Sequence, residues 1–168
     1  METHLDTLTI LAEVTIAFVA FAAIIATLRR TFGEQLSPFQ RLLIHFFTET
    51  GMLAVSIELM PLVLAGFWQD ELSVARYTII FTLAASFAYL ISYIRRRTKI
   101  KAPTTLPSLV VMIGYGVWLP VLAMAGAGIV LQPSLAIVVA YCYWALLSGA
   151  IIFVTFLGSF VHDEDAGT

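Results

Sequence analysis

LAIVVAYCYWALLSGAIIFVTFLGSF, residues 135–160, runs for 26 residues without one Asp, Glu, Lys or Arg. At 1.5 Å per helical residue, about 20 apolar residues cross a hydrocarbon layer about 30 Å thick. This stretch has that length, and a water-facing helix would need charge on one side. It predicts a transmembrane helix.

Four more stretches meet the same test, at 8–28, 41–67, 73–94 and 107–131. The interruptions carry charge or the turn formers Gly, Pro and Ser. They are Gly33 to Pro38, Gln69-Asp70-Glu71, Arg95 to Pro103, and Gln132-Pro133-Ser134. Composition agrees, for the 168 residues are 60% hydrophobic and only 12% charged. The mean hydropathy is +0.94. Soluble domains carry about a quarter charged residues. The expected fold is therefore an all-α integral membrane protein, one bundle of five transmembrane helices over residues 1–168.

The first span reads as retained, not as a cleaved leader. Residues 1–7, METHLDT, hold two acids and no Lys or Arg, whereas a secretory signal opens with positive charge. No soluble domain and no internal repeat interrupts the pattern. Five spans also do not form a simple inverted repeat within one chain.

Basic residues set the expected orientation. Arg29, Arg30 and Arg41 flank the first connection, and Arg95, Arg96, Arg97, Lys99 and Lys101 crowd the third, leaving Arg76 alone elsewhere among nine. Cytoplasmic loops accumulate Lys and Arg. This bias puts the N-terminus outside and the C-terminus, with the acidic stretch His162-Asp-Glu-Asp165, in the cytoplasm. A bacterial inner membrane fits such a short chain. The cluster from Arg95 to Lys101 acts as a topology determinant and is also a candidate contact for anionic lipid.

The fourth span is rich in Gly and Ala between Gly114 and Gly128. Small residues let helix backbones approach closely in lipid, either inside the protein or against a second copy or another membrane protein. Pro120 removes a backbone donor there and predicts a bend. Cys142, the one cysteine, reads as a small buried hydrophobe.

Ionisable residues inside spans carry the functional argument, since each costs at least about 2.5 kcal/mol at mid-bilayer unless it is paired or wet. Four qualify: Glu13 in the first span, Glu49 and Glu58 in the second, and Arg76 in the third, while His45 sits near the cytoplasmic end of the second. Arg76 is expected to reach Glu13 or Glu58, as guanidinium and carboxylate match as a fork. His45 and Glu49, four apart, share a helix face and are suited to passing protons. Glu49 and Glu58 are nine apart, which places them on opposite faces. One would then face the interior and the other a subunit interface or pore. Pro61 frees the carbonyl of Ile57, next to Glu58.

The third span adds a polar stripe, Thr78, Thr82, Ser86, Tyr89 and Tyr93, which falls within about 80° on a helical wheel. It can line a hydrated path or bond to its own helix.

Other chemistries lack their residues. No span carries a Lys for a retinal Schiff base, and His45 is the one span histidine, so one chain cannot give a haem two imidazoles. No metal-protease helix, serine–histidine couple or phosphate loop occurs, so an enzyme is not expected. Basic residues are too few for nucleic acid. The leading expectation is a homo-oligomeric permeation protein for protons or small cations. In it Glu49, Glu58 and His45 form the path, and Glu13 and Arg76 shape its outer mouth. The alternatives are a non-catalytic membrane scaffold or accessory subunit, and a haem- or quinone-binding subunit using His45.

Overall fold

The computed structural model describes residues 1–31, 37–101 and 104–165, with side chains of the first and last helices to 28 and 158. Five helices follow in order: α1 (Glu2–Thr31), α2 (Pro38–Ala65), α3 (Glu71–Lys99), α4 (Leu106–Ala127) and α5 (Leu135–Asp165). Each is long and apolar enough to span a membrane, and no strand occurs among the described residues. The helices extend past most of the expected spans because charged ends such as Glu71 and Arg95–Lys99 continue the helix beyond its apolar part. Parts of the first and third interruptions (32–36 and 102–103), and the side chains of Arg29, Arg30 and His162 to Asp165, lie outside the described residues.

Local chemistry fixes where helices begin. Ser37 caps α2 reciprocally with Gln40, and Pro38 supplies a first-turn residue whose missing N–H costs nothing. Asp70 caps α3 through the amides of Leu72 and Ser73, and Thr105 caps α4 ahead of Pro107. Gly128 ends α4 at φ +67°, a left-handed conformation that suits glycine. Both Pro61 and Pro120 lie inside continuous helices.

Successive helices run up and down. The Met1 amino group sits 2.9 Å from Glu71, so α1 and α3 start at one end. Leu5, Leu64, Val74, Ala75 and Leu135 pack into one cluster there, which adds the end of α2 and the start of α5. We call this the amino end and the opposite one the carboxyl end. α5 touches all four other helices, and α2 touches α1, α3 and α5, while the described backbone of α1 nowhere comes within 8 Å of α3 or α4.

The core is aromatic at the junction of α1, α2 and α5. Phe18, Phe47 and Phe153 meet with ring centroids 5.1–5.5 Å apart. Two glycines set close helix contacts. A Cβ at Gly51 would stand 2.1 Å from the Val19 side chain, and one at Gly114 only 1.8 Å from the Trp144 ring. The small residues of α4 therefore serve two faces, with Gly114 turned to α5 while Gly116, Ala123 and Ala127 are exposed.

Candidate functional site: a buried carboxyl and a hydroxyl-lined cavity

Glu58 lies in the interior of the bundle with 0% of its surface exposed. The helix geometry explains this position. Ile57, Pro61 and Leu64 are buried alongside it on α2, so the face that carries Glu58 is the face packed against α1 and α5. Thr15 of α1, itself buried, donates its hydroxyl to Oε1 at 3.2 Å. Oε2 has no hydrogen-bond partner among the described residues. No salt bridge reaches this carboxyl among them either. Cys142 is within electrostatic range of it, also buried.

Glu49 has the opposite environment. Its carboxylate takes both contacts from one Arg96 nitrogen, at 2.7 and 2.8 Å, and the two side chains are 35% and 48% exposed. The nine-residue separation thus acts as expected, turning one acid inward and the other outward. The sequence reading places Arg96 in the third connection. Since α3 continues helically to Lys99, its side chain can instead reach back to α2. The signal was present in the unbroken helix-compatible run from Tyr93 through Lys99.

Three expected groupings do not form. Arg76 donates Nε to the Gly126 carbonyl at 3.2 Å, at the C-terminal end of α4, and meets neither Glu13 nor Glu58. That carbonyl end carries partial negative charge and attracts a cation. Glu13 is exposed and makes no hydrogen bond or ion pair among the described residues. It lies away from α3, which α1 approaches only at the amino end, near Met1 and Leu5. His45 is exposed on α2, and Glu49 pairs with Arg96 in its place.

The stripe on α3 faces inward. Thr78, Thr82, Ser86 and Tyr93 are buried, and Tyr89 is half-buried. Thr78 and Thr82 donate to the carbonyls four residues back, at 2.8 Å each, which satisfies them within their own helix. Ser86 shares a 2.5 Å hydrogen bond with the Tyr141 hydroxyl of α5. Tyr89 donates to the Phe46 carbonyl at 3.4 Å and lies in electrostatic range of Glu49 and Arg96.

Those lower residues of the stripe line a cavity. It holds about 380 Å³ of empty volume, counting its open mouth, and its walls include Thr50, Ser86, Tyr89, Tyr93, Tyr115 and Tyr141. A smaller cavity of about 250 Å³ lies beside it, bounded by Thr15, Phe18, Gly51 and Leu146 among others. Thr50, Ala54 and Ala145 form walls of both. Polar hydroxyls around a space of this kind can hold one or two waters. Thr15, Tyr115 and Tyr141 enter the site through the tertiary structure alone, for nothing in their sequence neighbourhoods sets them apart.

Toward the amino end the interior turns apolar, with Leu64, Val74, Ala75 and Leu135 closing over it. No group of three or more His, Cys, Asp or Glu that could hold a metal occurs among the described residues. The arrangement sets one carboxyl beside spaces large enough for single waters. Comparison with known proteins places the chain in no family: no family model, no curated protein and no solved structure matches it.

Proposed function

We propose that this is a membrane permeation protein for protons or small cations, with Glu58 as the group that binds them. One observation carries the reading: a fully buried carboxyl whose only partner among the described residues is a threonine hydroxyl. A charge so placed, with no cation beside it, would be strongly disfavoured in a dry interior. Such groups inside membrane proteins mark ion and proton pathways.

The half of the path between Glu58 and the carboxyl end runs within one protomer. It goes from Glu58 through Thr15 to the smaller cavity, past Thr50 to the larger one, then along Ser86, Tyr141 and Tyr89 to the Glu49–Arg96 pair. Glu49 and Arg96 form its cytoplasmic mouth. The carboxyl end faces the cytoplasm of a bacterial inner membrane, because eight of nine Lys and Arg lie at connections on that side. Arg95, Arg96, Arg97, Lys99 and Lys101 then stand at anionic headgroups. Copies associate through the exposed Gly116, Ala123 and Ala127 of α4. Glu13, His45 and Arg76 lie off this path.

Protein reconstituted into vesicles with a pH-sensitive dye inside tests the reading. An imposed pH gradient should collapse faster than in empty vesicles, and Glu58→Gln should slow the collapse to the empty-vesicle rate. Flux that is absent, or unchanged in the Glu58→Gln and Glu49→Gln variants, would falsify it. A second reading, an accessory subunit of a larger membrane complex, is favoured by Glu13, a carboxylate on the outside of an apolar helix. The cofactor reading gains nothing from His45, which lines neither cavity.

A further inference from the structure

Glu13 and Thr15 are two residues apart on α1 and look in opposite directions. Thr15 is buried against Glu58, so its level is that of the internal site. Glu13 is exposed at nearly the same level, seven residues past Asp6, or about 10 Å along the helix. A glutamate side chain is too short to return that far to the surface, unlike Lys or Arg. The apolar surface around it can be covered by lipid tails, but they offer no countercharge.

The surface beside Glu13 is ordered. Ile10, Val14, Ala17, Phe21, Ile24 and Leu28 are all exposed, at intervals of 4, 3, 4, 3 and 4. That is the heptad spacing with which one helix packs along another at a shallow angle. Apart from Phe21, whose ring meets Phe153 of α5 edge-on, this seam lies off the face of α1 that buries Leu8, Leu11, Thr15 and Ala22.

We propose that this face of α1 docks a transmembrane helix of another protein, one that carries Lys or Arg opposite Glu13. A second copy of the chain fits the face poorly. Both copies insert with the same orientation, so a two-fold contact along α1 sets Glu13 beside Glu13, and like charges repel. Among the described residues, the chain's own cations do not reach this level. Arg76 is turned to the end of α4, and Arg95 to Lys99 lie at the carboxyl end. The inference is independent of proton conduction, since it uses none of the residues that line the path.

Labelled protein in phosphatidylcholine vesicles can be titrated with synthetic Leu/Ala transmembrane peptides, reading energy transfer. One peptide carries a single Lys about 10 Å from its outer end, and the other is wholly apolar. The Lys peptide should bind roughly tenfold more tightly, the scale of one polar interhelical contact in lipid. Glu13→Gln should abolish the difference, while Glu13→Asp and the distant Glu2→Gln should retain it. The exposed position of Glu13 leaves the fold unaffected by these changes. Equal binding of both peptides, or a Lys preference that survives Glu13→Gln, overturns the proposal. So does self-association of the chain that Glu13→Gln weakens, because the face would then belong to a second copy.

Discussion

Two carboxyls nine residues apart on α2 meet opposite physics. Glu58 is sealed inside the bundle with one threonine hydroxyl, and Glu49 sits at the surface in the grip of an arginine. The same side chain on the same helix is thus a buried carboxyl held by a hydroxyl in one place and half of an ion pair in the other. Depth does not separate them, since both lie well inside α2. The neighbouring helices do. α3 is long enough to bring Arg96 to Glu49, while the helices that enclose Glu58 present Thr15, Cys142 and apolar side chains.

The largest expected effect comes from equalising the two by neutralisation. Glu58→Gln should lower proton flux in vesicles by more than about tenfold, the scale on which a buried proton carrier matters. Its folding should be intact, because an amide avoids the cost of a buried charge. If Glu49→Gln proves the more damaging of the two, the surface pair and not the interior acid is the centre of function.

Next comes Thr15→Val, which removes the hydrogen-bond donor of Glu58. Losing that bond should destabilise the protein by about 1–3 kcal/mol, the cost of orphaning a buried polar group. Denaturation in detergent would read the loss, and flux should fall less than in Glu58→Gln. A Thr15→Ser variant should restore both.

The surface pair should respond more weakly. Breaking it by Arg96→Leu or Glu49→Gln should cost at most about 1 kcal/mol in stability, as for other open ion pairs. The pair is falsifiable by exchange. Glu49→Arg combined with Arg96→Glu should recover what either change alone loses, and a double-mutant cycle with zero coupling would remove Arg96 from the site.

Smallest of all is the effect at Asp70, an acid wholly in water at the start of α3. Hydrogen bonds from Ser73, side chain and backbone, and from Leu72 hold its carboxyl below the usual range. A carboxylate depressed by folding stabilises above its unfolded value near pH 4 and loses that contribution as pH falls through its folded value. Asp70→Asn should therefore lower the melting temperature slightly at pH 7, with the difference shrinking toward pH 3. A difference that persists at low pH would mean that the cap acts without its charge.

Much of this was legible in the residues. The opposed faces of Glu49 and Glu58 follow from the helical period alone, as does the shared face of Thr78, Ser86 and Tyr93. Arg76 shows where such reading stops. Its depth made a contact with Glu13 plausible, but depth is one coordinate, and the backbones of α1 and α3 stay more than 8 Å apart. Ser86 shows the same limit more mildly, since its partner is Tyr141, 55 residues away.

By itself, then, the sequence determined five apolar helices, their approximate limits and the faces on which their polar groups lie. These are consequences of the hydrocarbon thickness and of a fixed 100° turn per residue. Tertiary structure alone decided which helices touch, and so which acid has a cation, which has a hydroxyl and which has nothing. Helix order around the bundle depends on close contacts such as Gly51 with Val19 and Gly114 with Trp144. Each is a fit between surfaces distant in the chain, and no local pattern encodes it.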